Sequence, residues 1–253
     1  MGFEVDFLML FALFFAAFIA GFVDAIAGGG GMITIPALML SGISPIEALA
    51  TNKLQSSFGS FSATLQFYKK GYIDIKKSLP LAVLIFIFSG LGTISVQFVD
   101  SSFLGKFLPF LIVFFGLYFL FSPKIKEVQS ATKRNLLALM IAFACIGFYD
   151  GFFGPGTGSF LILALMIFGG YGLVQGLGEA KFYNFSTNLA SLIFFAIGGH
   201  MLFGIGLVMA LGQFLGANLG ARAAMKYGIK IIKPLIVAVS FIMAIKLLYD
   251  EFF

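Results

Sequence analysis

Glycines and charged side chains occur inside strongly apolar parts of this chain, where a simple lipid-facing helix needs neither. Gly28–Gly31 are four consecutive glycines, and Asp24 precedes them by one turn. Glycine is the weakest helix former after proline, so this stretch predicts a break in the helix, where main-chain N–H and C=O groups lose their intrahelical hydrogen bonds. In hydrocarbon, the freed N–H and C=O groups must find partners inside the protein or in a water-filled cavity. The pattern therefore indicates a binding site at membrane depth.

The same pattern recurs half a chain later. The stretch 147–158 repeats the one that begins at Gly21, with Asp150 aligned to Asp24 and Gly154 to Gly28, each pair 126 positions apart. Repeats of this kind in an apolar chain are typical of secondary transporters built from two structural units. The sequence predicts two copies of one unit, each with a glycine-broken helix.

Two lysines lie in the polar first parts of two otherwise apolar segments. Charges inside a membrane segment are costly and usually face a cavity or a charged partner. For Lys53 and Lys181 two interpretations stay open. Each ammonium contacts an anionic substrate, or each is structural, paired with Asp24, Asp150 or Glu179 or extended to the membrane surface.

The predicted substrate-binding residues combine the glycines of both breaks with the polar side chains near the lysines. They are Gly28, Gly29, Gly30, Gly31, Thr51, Asn52, Lys53, Gln55, Ser56, Gly154, Gly156, Thr157, Gly158, Lys181, Asn184 and Asn188. The breaks supply main-chain N–H groups and the short segments after them present helix N-termini, and both favour anions. Asp24, Asp150 and Glu179 are predicted to accept a coupling proton or to form structural ion pairs.

Composition fixes the class of protein. The chain is 60% hydrophobic and 11% charged, against about 25% charged in soluble domains, which predicts an all-α polytopic membrane protein. A single cysteine, Cys145, and a single histidine, His200, leave no intramolecular disulfide and disfavour a metal site or a Ser-His-Asp triad. Gly154–Gly158 lacks the lysine that follows a phosphate loop. We therefore expect no enzyme, cofactor, metal or nucleic-acid partner.

Apolar segments and loops divide the chain into two predicted repeats. The first repeat, 1–123, contains a broken helix at 5–42, a polar-headed helix at 46–69 and spans at 79–99 and 103–121. A cytoplasmic linker is expected at 124–134. The second repeat, 135–253, contains a broken helix at 135–169, a polar-headed helix at 174–199 and spans at 202–224 and 229–249. About eight to ten segments result, depending on whether the short arms are re-entrant or complete a crossing.

Basic residues predict the orientation of these segments. Twelve of the sixteen Lys and Arg residues fall in three loops: Lys69, Lys70, Lys76, Lys77, Lys124, Lys126, Lys133, Arg134, Arg222, Lys226, Lys230 and Lys233. The positive-inside rule places all three loops in the cytoplasm. Because the matching loops of the other repeat carry no Lys or Arg, the two repeats are predicted to be inverted, with both termini outside the cell membrane.

These motifs resemble the TauE/SafE family of sulfite exporters and toluene-sulfonate uptake permeases. The resemblance rests on GFVDAIAGGGGMITIP at 21–36, ALATNKLQ at 48–55 and GFYDGFFGPGTG at 147–158, with Lys181 and Asn188 after them. It implies transport of sulfur-containing anions such as sulfite, thiosulfate or organosulfonates. The chain departs from its own symmetry at Glu179, which stands where the first repeat has Thr51.

The function predicted is secondary transport of a small sulfur-containing anion by alternating access, at a site midway through the membrane between the repeats. A channel or ion-coupled transporter of another solute is the main alternative, with a cation held by Asp24, Asp150 and Glu179. A membrane enzyme and an assembly subunit are further alternatives, disfavoured by the single His and Cys and by the paired glycine breaks. The expected partners are the substrate anion and the lipid bilayer, with a homodimer as the expected assembly because membrane transporters commonly associate.

Overall fold

The computed structural model describes residues 6–121 and 134–227, and nine helices occupy these ranges. They are α1 (Phe7–Ala27), α2 (Gly31–Leu40), α3 (Pro45–Lys69), α4 (Ile75–Val96), α5 (Ser101–Phe121), α6 (Leu136–Phe152), α7 (Thr157–Ile167), α8 (Leu173–Gly198) and α9 (Phe203–Tyr227). The prediction of an all-helical chain is confirmed for the described residues, among which there is no strand. The predicted span 229–249 and nearly all of the linker 124–134 lie outside them.

Among the described residues, three helices are long and apolar enough to cross a membrane by length and composition, namely α1, α4 and α9. The helices α3 and α8 are also long, but their buried faces carry many polar side chains. Pro45 occupies the first turn of α3, where its missing N–H has no intrahelical partner to lose. The polar faces of α3 and α8 are therefore turned toward neighbouring helices and away from the surface of the protein.

Both glycine stretches break the helix as predicted. After α1, Gly28 adopts the left-handed conformation (φ 78°), and α2 begins three residues later at Gly31. After α6, Gly154 (φ 93°) and Gly156 (φ 82°) are both left-handed, and α7 begins at Thr157. Residues with a Cβ rarely adopt this conformation, so these turns depend on glycine.

Each short helix folds back along the helix before it. The N–H of Asn135, just before α6, donates to the carbonyl of Phe168, just after α7, at 2.9 Å. In the first hairpin, Leu13 of α1 and Leu38 of α2 share one buried apolar cluster. The pairs α1–α2 and α6–α7 are therefore helical hairpins, the geometry that the re-entrant alternative requires.

The helices α3 and α8 run in opposite directions. Thr51, near the start of α3, accepts a hydrogen bond from the N–H of Leu202, which follows α8 (3.2 Å). Glu179, near the start of α8, accepts one from the N–H of Asp74, which follows α3 (3.3 Å). The start of each helix thus lies beside the end of the other.

Glycines set the closest helix contacts. The helix α9 packs against α1 and α3, whereas α4 packs against α6 and α8. A Cβ on Gly220 of α9 would meet the carbonyl of Phe22 in α1, and one on Gly92 of α4 would meet the carbonyl of Phe148 in α6. Small residues at such positions let helix main chains approach, which supplies packing energy in a lipid environment. Two groups of helices pack through glycines in this way, α1–α3–α9 and α4–α6–α8, and they meet where α3 packs against α8.

Exposed basic side chains gather at one end of the helices, here called the basic end. Its members are Lys69, Lys70, Lys76, Lys77, Arg134, Arg222 and Lys226. They share an end because α3 and α9 run in the same direction, as the bond from the Ser62 hydroxyl to the Phe214 carbonyl (2.9 Å) indicates. The other predicted loop lysines lie outside the described residues.

Candidate functional site

The turns of the two hairpins touch each other between α3 and α8. A Cβ on Gly28 would overlap the main chain of Gly158, and one on Gly158 would overlap Gly28. The Ser159 hydroxyl donates to the Ala27 carbonyl, which α1 leaves without an intrahelical partner at its end. Ser159 was not among the predicted residues, although its place in the first turn after the second break is a signal that sequence reasoning could have used.

Two buried ion pairs join the two helix groups at this point. The Lys53 ammonium of α3 lies 3.0 Å from Asp150 Oδ1 of α6, and the Lys181 ammonium of α8 lies 2.9 Å from Asp24 Oδ2 of α1. Each lysine also donates to the main-chain carbonyl of its aspartate residue. Lys53 and Lys181 are almost fully buried. Of the two interpretations of the lysines, the structural ion pair is therefore present.

The ion pairs leave donor capacity on both lysines. An ammonium group has three N–H donors, and each lysine uses one on a carboxylate and one on a carbonyl. One N–H on each ammonium group therefore has no acceptor among the described residues. The charges of the four side chains sum to zero, which lowers the cost of keeping them inside a membrane.

The two aspartates differ in how completely they are bonded. Asp24 accepts from the Gly30 N–H at Oδ1 (3.2 Å) and from Lys181 at Oδ2. Asp150 accepts from Lys53 at Oδ1, but its buried Oδ2 has no hydrogen-bond donor among the described residues. Asp150 is thus the carboxylate with a vacant acceptor position.

A small central cavity lies beside the ion pairs. Its lining residues, all of them predicted from the sequence as binding residues or as coupling or ion-pair carboxylates, are Asp24, Gly28, Gly31, Asn52, Lys53, Ser56, Asp150, Gly154, Thr157, Gly158, Asn184 and Asn188. Its volume is about 20 Å³, which suffices for about one water molecule. In this arrangement the space is therefore too small for an anion of several heavy atoms.

Asn52 is oriented so that its amide N–H groups are available. Its Oδ1 accepts from the hydroxyl of Thr34 (2.6 Å), the amide of Gln55 (3.0 Å) and the hydroxyl of Ser56 (3.4 Å). Three donors on one oxygen fix the side chain and leave Nδ2 without an acceptor among the described residues. Thr34 was missed by the sequence analysis because it lies in the short helix rather than in the polar-headed one.

The starts of α2 and α7 also border the cavity, through Gly31 and Thr157. The start of a helix carries partial positive charge. Several N–H groups here already donate to carbonyls of the preceding turn, as Met32 does to Gly29 (3.2 Å) and Thr157 to Gly154 (3.3 Å). Together with the lysine and asparagine donors, the starts of both helices make the cavity a place for oxygen atoms that carry negative charge.

Several predicted residues lie near the cavity without lining it. Gly29, Gly30 and Gly156 form the turns, Gln55 supports Asn52, and Lys181 is covered by Asp24. Two others lie elsewhere, since Thr51 bonds Leu202 and Glu179 borders a second cavity at the basic end. Glu179 has no ion pair with a described residue, so it joins neither lysine.

Comparison with known proteins decides the family. The family profile described as "Sulfite exporter TauE/SafE" matches residues 13–247. The chain belongs to this family. No solved structure matches the chain significantly.

Relatives of the chain carry general names. A "Probable membrane transporter protein" of Haemophilus influenzae is 44% identical over 230 residues, 90% of each chain. The Escherichia coli K12 "Probable membrane transporter protein YfcA" is 45% identical over 250 residues, covering 98% of this chain and 93% of the relative. A Bacillus subtilis relative, "Probable membrane transporter protein YunE", is 26% identical over 256 residues, 89% of this chain and 92% of its own. None of these names states a substrate.

Proposed function

We propose that this protein is a secondary transporter of small sulfur-containing anions, such as sulfite, thiosulfate or organosulfonates. The observation that supports this function best is a set of groups around one small cavity that favour an anion. They are the third N–H of Lys53, the Nδ2 group of Asn52 and the partial positive charge at the starts of α2 and α7. Oxyanions accept several hydrogen bonds at once, and bonds that involve charged groups are the stronger ones. The description of the family to which the chain belongs and the transporter names of its relatives support this function.

Alternating access between two inverted repeats is the proposed mechanism. Its support is the pairing of equivalent parts: Gly92 and Gly220 make matching contacts, Lys53 and Lys181 make matching ion pairs, and α3 and α8 run antiparallel. The cavity holds about one water molecule, so an anion of several heavy atoms enters only after the hairpin turns move apart.

The ion pairs give this transporter a way to recognise its cargo. A substrate oxyanion that takes up the third N–H of Lys53 adds negative charge beside Asp24 and Asp150, which both line the cavity, and so weakens both pairs. Binding thus loosens the contacts that hold this arrangement, because a ligand shifts a conformational equilibrium by its differential affinity for the two states.

Flux measurements on purified protein in liposomes test the proposal. Radiolabelled sulfite, thiosulfate and a simple alkyl sulfonate are loaded into separate vesicle samples. The rate of efflux is compared with that from protein-free vesicles loaded with the same anion. Lys53→Ala and Lys181→Ala are expected to abolish flux, whereas Lys106→Ala, an exposed lysine at the start of α5, is expected to keep it. The proposal fails if no sulfur anion moves above background, or if both lysine variants transport like the parent.

A cation substrate is the second candidate, favoured by the vacant Oδ2 of Asp150. Glu179 lies at a different cavity and both oxygens of Asp24 are bonded, so one carboxylate oxygen would carry most of the recognition. Reversal potentials in planar bilayers separate the two functions, since the sign follows the charge of the permeant ion. Asp150→Asn is expected to remove transport of a cation.

The proposed location is the inner cell membrane, with the basic end in the cytoplasm and the start of α1 on the opposite side. The support is the positive-inside rule applied to basic residues that share one end.

A further inference from the structure

Glu179 is a buried carboxyl group without a cationic partner among the described residues. It is 1% exposed, and its Oε2 accepts from the Ser78 hydroxyl at 2.6 Å. Its Oε1 accepts from the N–H of Asp74 at 3.3 Å. No basic side chain of the described residues lies within ion-pair distance of Glu179. A buried carboxylate held only by neutral donors is costly, so the presence of this carboxyl group calls for an explanation.

Holding the main chain does not explain the carboxyl group. Thr51 lies 128 positions before Glu179, and Leu202 lies 128 positions after Asp74. Each of the two side chains accepts the N–H of a residue that directly precedes a long helix. A threonine hydroxyl therefore does in one place what the glutamate does in the other. The carboxylate is free to serve a second purpose.

That purpose is indicated by a cavity of about 330 Å³ at the basic end, bordered by Glu179, Arg134, Tyr171, Gln175 and the pair Asp74–Lys77. It shares no lining residue with the central cavity. Asp74 and Lys77 neutralise each other at 2.8 Å, and this contact holds the pKa of Asp74 below its ordinary value. The Arg134 guanidinium lies 5.5 Å from the centre of the Tyr171 ring and pairs with no described carboxylate.

We propose that this cavity binds a small zwitterion, whose ammonium group bonds to Glu179 and whose acidic group bonds to Arg134. An acidic and a basic side chain that have no ion-pair partner among the described residues border the same space, and its size is within the range of small-molecule pockets. A metal ion fits less well, because no three His, Cys, Asp or Glu side chains of the described ranges cluster together. An amino acid has this chemistry, and so does a phosphatidylethanolamine headgroup.

Thermal unfolding of the purified full-length protein in detergent tests the binding. The probes are glycine, β-alanine and 2-aminoethyl phosphate, with ethylamine and propionate as single-charge controls. At least one zwitterion is expected to raise the unfolding temperature in a saturable way that neither control reproduces. Nanodiscs of phosphatidylethanolamine and of phosphatidylcholine form a second arm, in which a headgroup ligand stabilises only in the former.

Two variants assign the effect to Glu179. Glu179→Thr copies the arrangement at Thr51, and Glu179→Gln keeps an acceptor for the Asp74 N–H, so both are expected to fold. Each should weaken zwitterion binding at least about tenfold, as expected for losing a charge-assisted hydrogen bond. Lys106→Ala, at an exposed lysine that lines neither cavity, should leave the shift intact. Shifts that persist in both Glu179 variants, or the absence of a shift with every zwitterion and in both nanodiscs, would overturn the proposal.

Discussion

Lys53 and Lys181 show how far residue types predict a site. Their unusual position in apolar segments predicts buried partners, and the aspartates of the glycine stretches are among the few residues able to neutralise them. The sequence could not decide which lysine meets which aspartate, because that depends on how the hairpins pack against α3 and α8. The third N–H of each lysine became visible only with the geometry.

Removing one partner of a buried pair should cost far more stability than removing both. Lys53→Met leaves Asp150 charged and unpaired in the interior, at a cost of about 3–5 kcal/mol. Adding Asp150→Leu should restore much of the loss. Thermal unfolding of the two single variants and the double variant in detergent measures the coupling. Lys77→Met at the exposed Asp74 pair serves as the comparison and should change little, whereas simple addition of the two single effects would contradict the prediction.

Gly154 lies at a position where any side chain would crowd the Lys53 ammonium group. A Cβ there would lie 3.1 Å from the Lys53 ammonium, in a residue whose φ is 93°. Gly154→Ala is therefore expected to lose about 1–2 kcal/mol of stability from the left-handed conformation alone and to displace Lys53, reducing transport further. Flux in liposomes and thermal unfolding report the two effects separately.

The matched control is Gly71→Ala. Gly71 has a φ of 76°, but nothing lies within 4 Å of the position of its Cβ. It should show the conformational cost and leave flux unchanged. Equal loss of flux in both variants would mean that Gly154 acts through stability alone.

At the scale of elements, the helical hairpins were only partly predictable. Consecutive glycines and the shortness of the following apolar segments predict the breaks, since ten residues span about 15 Å of helix. Whether the chain then turns back depends on the left-handed Gly28 and Gly154, and a run of glycines permits many turns. Thr51 and Glu179 were likewise grouped with the site because their neighbours line it. On a helix, however, residues one or two positions apart point to different sides.

The close contact between α4 and α6 at Gly92 can be tested by substitution. Gly92 of α4 touches the main chain of α6, so Gly92→Ala would push the two helices apart, at about 1–3 kcal/mol. Gly204, in the first turn of α9, has nothing within 4 Å of its Cβ position. Gly204→Ala is expected to be neutral or slightly stabilising, because alanine is the better helix former. Thermal unfolding of both variants measures the difference, and equal effects would argue against close α4–α6 packing.

At the scale of the whole molecule, composition and hydropathy predicted the all-helical class of the described residues. The all-helical architecture follows from the composition, and the common end of the basic residues follows from the directions of α3, α8 and α9. In the structure, α9 of the second predicted repeat packs beside α1 of the first, and α4 of the first packs beside α6 of the second. This pairing could not be predicted, because apolar helix surfaces look alike in sequence.

Thiol labelling in intact cells tests the proposed orientation. The exposed Cys145 is first replaced by serine, and single cysteines are then placed at Lys70 of the basic end and at Asp6 before α1. A membrane-impermeant maleimide should label Asp6→Cys from outside and label Lys70→Cys only after the membrane is opened. The reverse pattern would invert the topology.

The two buried ion pairs have one further consequence, because both connect the α1–α3–α9 group to the α4–α6–α8 group. If these groups move relative to each other during the transport cycle, the protein without a bound anion must break both ion pairs, and no bound anion offsets the cost. Return of the empty protein is then the slow step, and exchange of anion for anion outpaces one-way movement. Counterflow of labelled sulfite against unlabelled sulfite should therefore run faster than net efflux, and equal rates would mean that the pairs survive this movement.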